Sequence, residues 1–450
     1  MKNESRRDFI KTSTLGALGT TIGIPTLLGS CANSASKEEK LIDVEVPEIL
    51  AKAPDGKPLK AGLVGCGGRG IGAAKNFLEA GNGLQITALG DVFADRMDSC
   101  RAALKAKGQN IPDEKCFLGF DAYQKVIDSG VDVVLLCTPP VFRPLHFEYA
   151  IQKGKDCFIE KPAAVDPVGA RKMQIVGKQS VQQNLSVISG TVARSQKDCI
   201  ETYRRVAGGA IGKIVSAHVS RMGDSLWVKQ RDKNWNDLEY MLRNWVNFCW
   251  TSGDHIVEMF IHEIDHISWF MGDKPPVRAE GTGGRMRRVT GDMYDFFSVE
   301  YLYEEGLRSH CTVRQISGCD YQMITMLYGT KGYTNCDNKI FNLDGTVAWE
   351  YPYPKPGDAD QSWKVPDPFI QEHIRLVTAI RTGKPVNDTE QHVLSTLMAI
   401  MGRESAYTGK FITWDKIMAS TQKLGPDTFV FGPVPGIKEE IPLPGIAPKV

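Results

Sequence analysis

From residue 59 onward, short apolar runs alternate with amphipathic stretches, and the alternation lays out strands and helices in turn. Residues 59–64 form a continuous apolar run, the pattern of a parallel strand buried on both faces. A helical pattern follows to Leu78, and residues 84–89 form a second apolar run. The series continues with a helix over 96–107, a strand over 131–136, a helix over 145–152 and a strand over 157–159. Asp166 is a capping residue with Pro167 behind it at the first helical position, which predicts a helix to Lys178. Residues 185–188 close the series as a strand. Repeats of this kind predict an α/β fold, a doubly wound parallel sheet over 59–189 with its ligand at the carboxyl ends of the strands.

After Gly190 the period changes. Residues 214–221, 295–303, 307–313 and 321–328 alternate apolar and polar positions. This predicts an α+β second domain over 190–432, with a largely antiparallel sheet open on one face. Residues 376–381 and 393–406 read as amphipathic scaffold helices, and 433–450 as a proline-rich tail. The segment 227–250 is rich in aromatics, including Trp227, Tyr240 and Trp245, with Arg231 and Arg243 interleaved. Flat apolar faces beside hydrogen-bonding groups suit a sugar ring. The same aromatics serve equally well to fill a core or a subunit interface.

Composition narrows the picture. The 450 residues are 42% hydrophobic and 24% charged, the balance of a globular protein, and the net charge of +1 gives no field that would draw nucleic acid. Beyond the N-terminal segment no apolar stretch approaches the roughly 20 residues of a membrane span. The 11 cysteines include no CxxC pair and read as small core residues of a chain that folds under reducing conditions. No HExxH or comparable spacing predicts a metal site.

The first 30 residues read as an address. Ser5-Arg6-Arg7-Asp8-Phe9-Ile10-Lys11 matches the twin-arginine export signal, and a moderately apolar segment follows over 15–28. Leu28-Gly29-Ser30-Cys31 resembles a lipoprotein processing site, with Cys31 as the lipidated residue and 31–58 as linker. The expectation is a periplasmic, lipid-anchored protein carried already folded by the twin-arginine machinery.

Chemistry is concentrated at the strand ends. Gly65-Cys66-Gly67-Gly68-Arg69-Gly70 follows the first strand and opens a helix. The second strand leads to Asp91, about twenty residues beyond the turn, the position of a ribose-binding acid. The glycines allow a tight turn and close approach of a pyrophosphate to the helix N-terminus. Asp91 repels a 2′-phosphate and Val92 offers no cation for one, so NAD is expected over NADP.

The ordered set of this glycine turn, Asp91, Thr138-Pro139-Pro140 with His146, and Glu160-Lys161-Pro162 resembles the Gfo/Idh/MocA oxidoreductase family. Gly190-Thr191, residues 211–215 and Gly329-Thr330-Lys331-Gly332 extend the resemblance. It implies that Lys161 lies beside nicotinamide and substrate. It also implies a helix over 254–270 that carries an acid and, four residues on, a histidine, here Glu258 and His262. Hydride transfer at a hydroxyl carbon of a sugar, polyol or glycoside is the implied chemistry. His262 would be the base, Lys161 the group holding the oxygen, and Glu258 the partner of His262. Asp265 and Arg194 are further candidates for substrate contact.

Export bears on the reaction, because NADH released outside the inner membrane would meet no soluble pool to reoxidise it. A bound cofactor recycled by a second substrate meets that constraint. So does the redox-neutral cycle of related NAD-dependent glycosidases, which oxidise, eliminate, hydrate and re-reduce. A non-catalytic exported sugar-binding protein is the alternative outside enzymology. The open sheet face is compatible with a homo-oligomer.

Overall fold

Five of the apolar runs, joined by a short strand over Cys116–Leu118 that the pattern did not predict, assemble into one parallel sheet in the computed structural model, which describes residues 46–353, 367–434 and 440–446. The candidate signal over 1–30 and Cys31 lie outside the described residues. The strands are β1 (Leu59–Val64), β2 (Leu84–Asp91), β3 (Cys116–Leu118), β4 (Val133–Leu136), β5 (Asp156–Ile159) and β6 (Val187–Ser189). They pair in the order β3-β2-β1-β4-β5-β6, every neighbour parallel. Helices α1 (Gly68–Glu79), α2 (Ala94–Lys105), α3 (Ala122–Asp128), α4 (Arg143–Gln152) and α5 (Pro167–Gln182) make the crossovers. Burial from both sides is why β4 has no polar position. The chain direction across the sheet reverses between β1 and β4, so a crevice opens at their carboxyl ends.

Helix α6 (Lys197–Ala207) leads into the second domain, followed by β7 (Ile214–Gly223), α7 (Asp237–Arg243), α8 (Cys249–Ser252), α9 (His255–Glu258) and α10 (Ile261–Phe270). Then come β8 (Arg278–Gly284), β9 (Phe296–Leu302), β10 (Arg308–Gln315), β11 (Gln322–Gly329), β12 (Gly332–Thr334), β13 (Lys339–Asn342) and β14 (Val347–Glu350). The chain ends with α11 (Pro368–Thr382), α12 (Thr389–Thr408), β15 (Ile412–Thr413) and α13 (Trp414–Ala419). The nine-stranded sheet runs β14-β13-β12-β11-β7-β10-β9-β8-β15. Its pairs are antiparallel except β7 with β10, whose strands run side by side in parallel. Alternate residues of β9 and β10 are buried, the expected period of two, with α10 and α12 covering the inner face.

Strands β3 and β8 and helix α3 have no counterpart in the sequence pattern, and two further placements differ from it. Helix α11, inside the stretch assigned to the second domain, packs on the first sheet, with Ile374, Leu376 and Val377 in one core with Leu63 and Phe77. Its apolar face was legible, but nothing local to it names its partner. Residues 254–270 are not one helix but two, α9 and α10, with Met259 and Phe260 between them. The Phe260 N–H reaches back five residues to the His255 carbonyl at 3.0 Å, a wide turn that shifts the helical phase at the break.

Helix α12 lies between the two sheets, against α5 on one side and β8 and β9 on the other. Its Arg403 is fully buried and donates to the carbonyls of Val165, at 2.7 Å, and Gly253, at 3.0 Å, one from each domain. Helix α5 begins as the sequence indicates: Asp166 accepts from the Gly169 N–H at 2.7 Å, and its second oxygen accepts from the Leu424 N–H at 2.8 Å. Asp166→Ala is expected to cost about 1–2 kcal/mol, the range of a lost N-cap. The check is the chemical-denaturation midpoint, which should fall with little change in slope, and Asp166→Asn should recover part of the loss.

Candidate active site

The glycine turn between β1 and α1 is enforced by backbone contact. Gly65 has φ +98°, and a Cβ on it would stand 2.7 Å from the Cys137 carbonyl carbon. A Cβ on Gly70 would meet the Gly65 carbonyl oxygen at 1.9 Å. Gly67 and Gly68 are different: the nearest atom to a Cβ on Gly67 is an Arg96 nitrogen at 3.5 Å, and nothing lies within 4 Å of one on Gly68. Both line a cavity of about 730 Å³ at the crevice, so the open side of the turn faces empty volume at the start of α1. Asp91 lines the same cavity, its carboxylate accepting from the Cys66 N–H at 2.6 Å and the Phe93 N–H at 2.9 Å. The arrangement fits a dinucleotide, with pyrophosphate over Gly67 and Gly68 and ribose at Asp91.

The candidate catalytic groups line the same cavity. Lys161 follows β5, and its ammonium donates to the Glu258 backbone carbonyl at 2.5 Å and to the Glu258 carboxylate at 2.9 Å. Both side chains are 11% exposed. An ammonium has three donors, so one remains for an oxygen in the cavity. His262 lines the same wall, and its Nδ1 is buried without a hydrogen-bond partner. Burial, and then the Lys161 and Arg221 cations, hold the His262 pKa well below the ordinary imidazole value, so the ring is neutral at pH 7. Glu258, expected to orient His262, instead holds Lys161. The break between α9 and α10 removes the continuous helical turn on which the expected pairing depended.

The remaining cofactor candidates lie where the motif reading put them. Arg69 ion-pairs with Glu160, and Thr138 Oγ1 contacts His146 Nδ1 at 3.3 Å. With Pro139 they line the cavity. His146 stacks on Tyr123 at 4.2 Å, and burial lowers its pKa to about 3. Of the substrate candidates, Trp227 lines the cavity; Arg194, Arg231, Tyr240, Arg243 and Asp265 do not. Arg194 is buried in ion pairs with Asp265, at 2.9 Å, and Asp273, at 2.7 Å, so this charge and Asp265 neutralise each other inside the second domain. Arg231 pairs with Asp237 at 2.6 Å and sits over the Tyr240 ring. Arg243 bonds Asp95 of α2 at 3.0 Å and lies 4.0 Å from the Phe93 ring centre.

The sequence reading missed several cavity residues. Phe93 and Arg96 follow Asp91 closely enough to have been suspected. Lys229 lay inside the aromatic insertion without being singled out, and Met259 carries no local signal. Arg143 is buried and donates to the carbonyls of Thr138, at 2.8 Å, and Pro162, tying two strand-end loops together.

A family description reading "oxidoreductase family, NAD-binding Rossmann fold" matches residues 59–187, and that of the GFO/IDH/MocA C-terminal domain matches 201–335. The chain therefore belongs to the Gfo/Idh/MocA oxidoreductases, and its first domain is an NAD-binding Rossmann domain. An uncharacterized oxidoreductase of Streptococcus pneumoniae is 26% identical, over 64% of this chain and 71% of its own length. An inositol 2-dehydrogenase of Cereibacter sphaeroides is 27% identical over 48% of this chain, and a glycosyl hydrolase family 109 protein of Solibacter usitatus 31% over 36%. The matched segments span 55% and 34% of those two relatives. The crystal structure of a scyllo-inositol dehydrogenase from Lactobacillus casei has the same fold, with a TM-score of 0.59 and 19% identity over 80% of this chain and 99% of that one.

The electrostatics of His262 are testable without substrate. Its ring resonances should titrate with a midpoint well below 6.5, and Lys161→Ala should move that midpoint upward by removing a cation that opposes protonation. A midpoint at or above 6.5 in the unmodified protein would contradict the neutral-base assignment.

Proposed function

We propose that the chain transfers hydride between a hydroxyl carbon of a sugar, polyol or glycoside and an NAD molecule that stays in its cleft between turnovers. The observation that carries this reading is the position of Lys161 and His262 on the wall of the cavity that the glycine turn opens into. When bound, NAD supplies the hydride acceptor. The chain supplies the proton chemistry: neutral His262 takes the hydroxyl proton, and the free N–H of Lys161 stabilises charge developing on the oxygen. Glu258 keeps Lys161 in place, so it acts as a positioning residue. The inositol dehydrogenases among the relatives support a ring polyol or sugar as the substrate class.

Retention is supported by the second domain's cover over the adenosine end. Trp227, Lys229, Leu242 and Trp245 of the second domain line the same cavity as Asp91, Phe93 and Arg96. Arg243 pins this cover to α2 through Asp95. The similarity to a family 109 glycosyl hydrolase favours a second reading at the same site, redox-neutral cleavage of a glycoside. The twin-arginine motif and the Cys31 site support export by that machinery and a lipid-anchored periplasmic location. The outer face of the nine-stranded sheet, with half-buried Phe296, Met326 and Tyr333, supports a homo-oligomer.

Protein lacking residues 1–31, dialysed exhaustively and then denatured, should release near-stoichiometric NAD. Lys161→Ala and His262→Ala should retain nucleotide yet lose turnover; full activity in His262→Ala would refute the base assignment. Arg243→Ala should release nucleotide faster, measured by the decay of cofactor fluorescence after reduction. Paired Arg6→Lys and Arg7→Lys changes should leave the full chain in the cytoplasm on cell fractionation, and unchanged export would exclude the twin-arginine route.

A further inference from the structure

Outside the cleft, three side chains of unlike chemistry converge. Cys199 stands in the first turn of α6, His266 on α10, and Asp337 in the turn between β12 and β13. The thiol sulfur, an imidazole nitrogen and a carboxylate oxygen all lie within 4.8 Å of one another. Cys199 Sγ and Asp337 Oδ1 are 3.7 Å apart. That is close to the edge, about 3.5 Å, of a tetrahedron with bonds of about 2.3 Å to sulfur and about 2.0 Å to oxygen. None of the three lines the active-site cavity.

We propose that Cys199, His266 and Asp337 form a divalent metal site, with zinc the ion these donors suit best. Thiolate and imidazole together select a borderline-soft ion, and one carboxylate completes a set typical of zinc. Cys199 and His266 are buried while Asp337 is exposed, so the site is walled by protein and open to solvent on one side. Three protein donors leave a fourth position for water.

The surroundings hold the donors in place without help from an ion. His266 Nε2 lies 3.2 Å from the Cys336 carbonyl, the kind of backbone contact that fixes the ring of a ligating histidine. The Asn335 side-chain oxygen accepts from the N–H groups of Asp337, at 3.2 Å, Asn338, at 3.0 Å, and Lys339, at 2.9 Å. Thr202, one turn after Cys199 on α6, donates to the Asp337 carbonyl at 2.9 Å. Cys336, beside Asp337, has φ +61°, a conformation costly for a residue with a Cβ and maintained here by that network. An ion here would join α6, α10 and the β12–β13 turn, and α10 also carries His262 one turn before His266.

The test uses the full chain without a histidine tag, kept reduced, stripped with a chelator and titrated with zinc alone by calorimetry. Cobalt(II) is the spectroscopic probe, because a cysteine thiolate ligand gives a charge-transfer band in the near ultraviolet. One zinc per chain and that band are expected. Cys199→Ser should abolish the band, and Asp337→Asn, which keeps the side chain's size, should weaken zinc by about tenfold or more. Should Cys199→Ser fail to fold, Asp337→Asn decides alone. No zinc uptake by the folded, stripped protein, or uptake unchanged in both variants, overturns the proposal.

Discussion

The ion pair between Lys161 and Glu258 is closed off from most solvent and joins the two domains on the wall of the cavity. Charges taken out of water are costly unless geometry compensates, and here the ammonium has both a carboxylate and a backbone carbonyl from Glu258. The pair sets the distance between the strand-end loop after β5 and the last residue of α9. It also determines what its neighbour can be. A histidine buried next to an ammonium is held neutral, which is the state the proposed base role of His262 requires.

Such an arrangement needs a rigid frame, and the chain builds one around the entry to α9. Asp254 sits at φ +72°, and its carboxylate accepts from the His255 N–H at 2.5 Å, the Tyr294 N–H at 2.9 Å and the Tyr407 hydroxyl. Arg403 holds the Gly253 carbonyl one residue earlier. Unfavourable backbone is thus fixed from three sides immediately before the helix that ends in Glu258, which is how strain persists near functional groups.

What the sequence revealed follows the range of each signal. The glycine turn, Asp91, Lys161 and the alternating strands are local patterns with one structural solution, and five of the six strands of the first sheet were legible to within a few residues, whereas β3, three residues long and only partly buried, was not. His262 was found through resemblance, since its ring has no local feature to separate it from His255 or His266. The partner of Glu258 was misread because a helical repeat was extended through Phe260, where the phase slips. Arg194 and Asp265 suggested a pocket when considered singly, but they satisfy each other inside the second domain, which only three-dimensional proximity reveals. The trio of Cys199, His266 and Asp337 has no spacing motif because each comes from a separate element. Strands β12 to β14 are three or four residues long, too short for periodicity to register.

The order in which the layers are laid down has a consequence for biogenesis. Helix α11 completes the core on the α1 side of the first sheet, and the chain beyond α13 returns to the same domain, where Phe429 and Phe431 pack on Phe120 at 6.0 and 4.9 Å. A ribosome makes the six parallel strands early, yet the β5–β6 end of the face that α1 and α2 cover lacks its helix until residues 368–382 emerge, and the aromatic edge is completed only when 429–431 follow. The nucleotide cleft is therefore finished only after residues 429–431 have been made. Any route that threaded the polypeptide unfolded through a membrane would have to rebuild that closure, from both ends of the chain, on the far side.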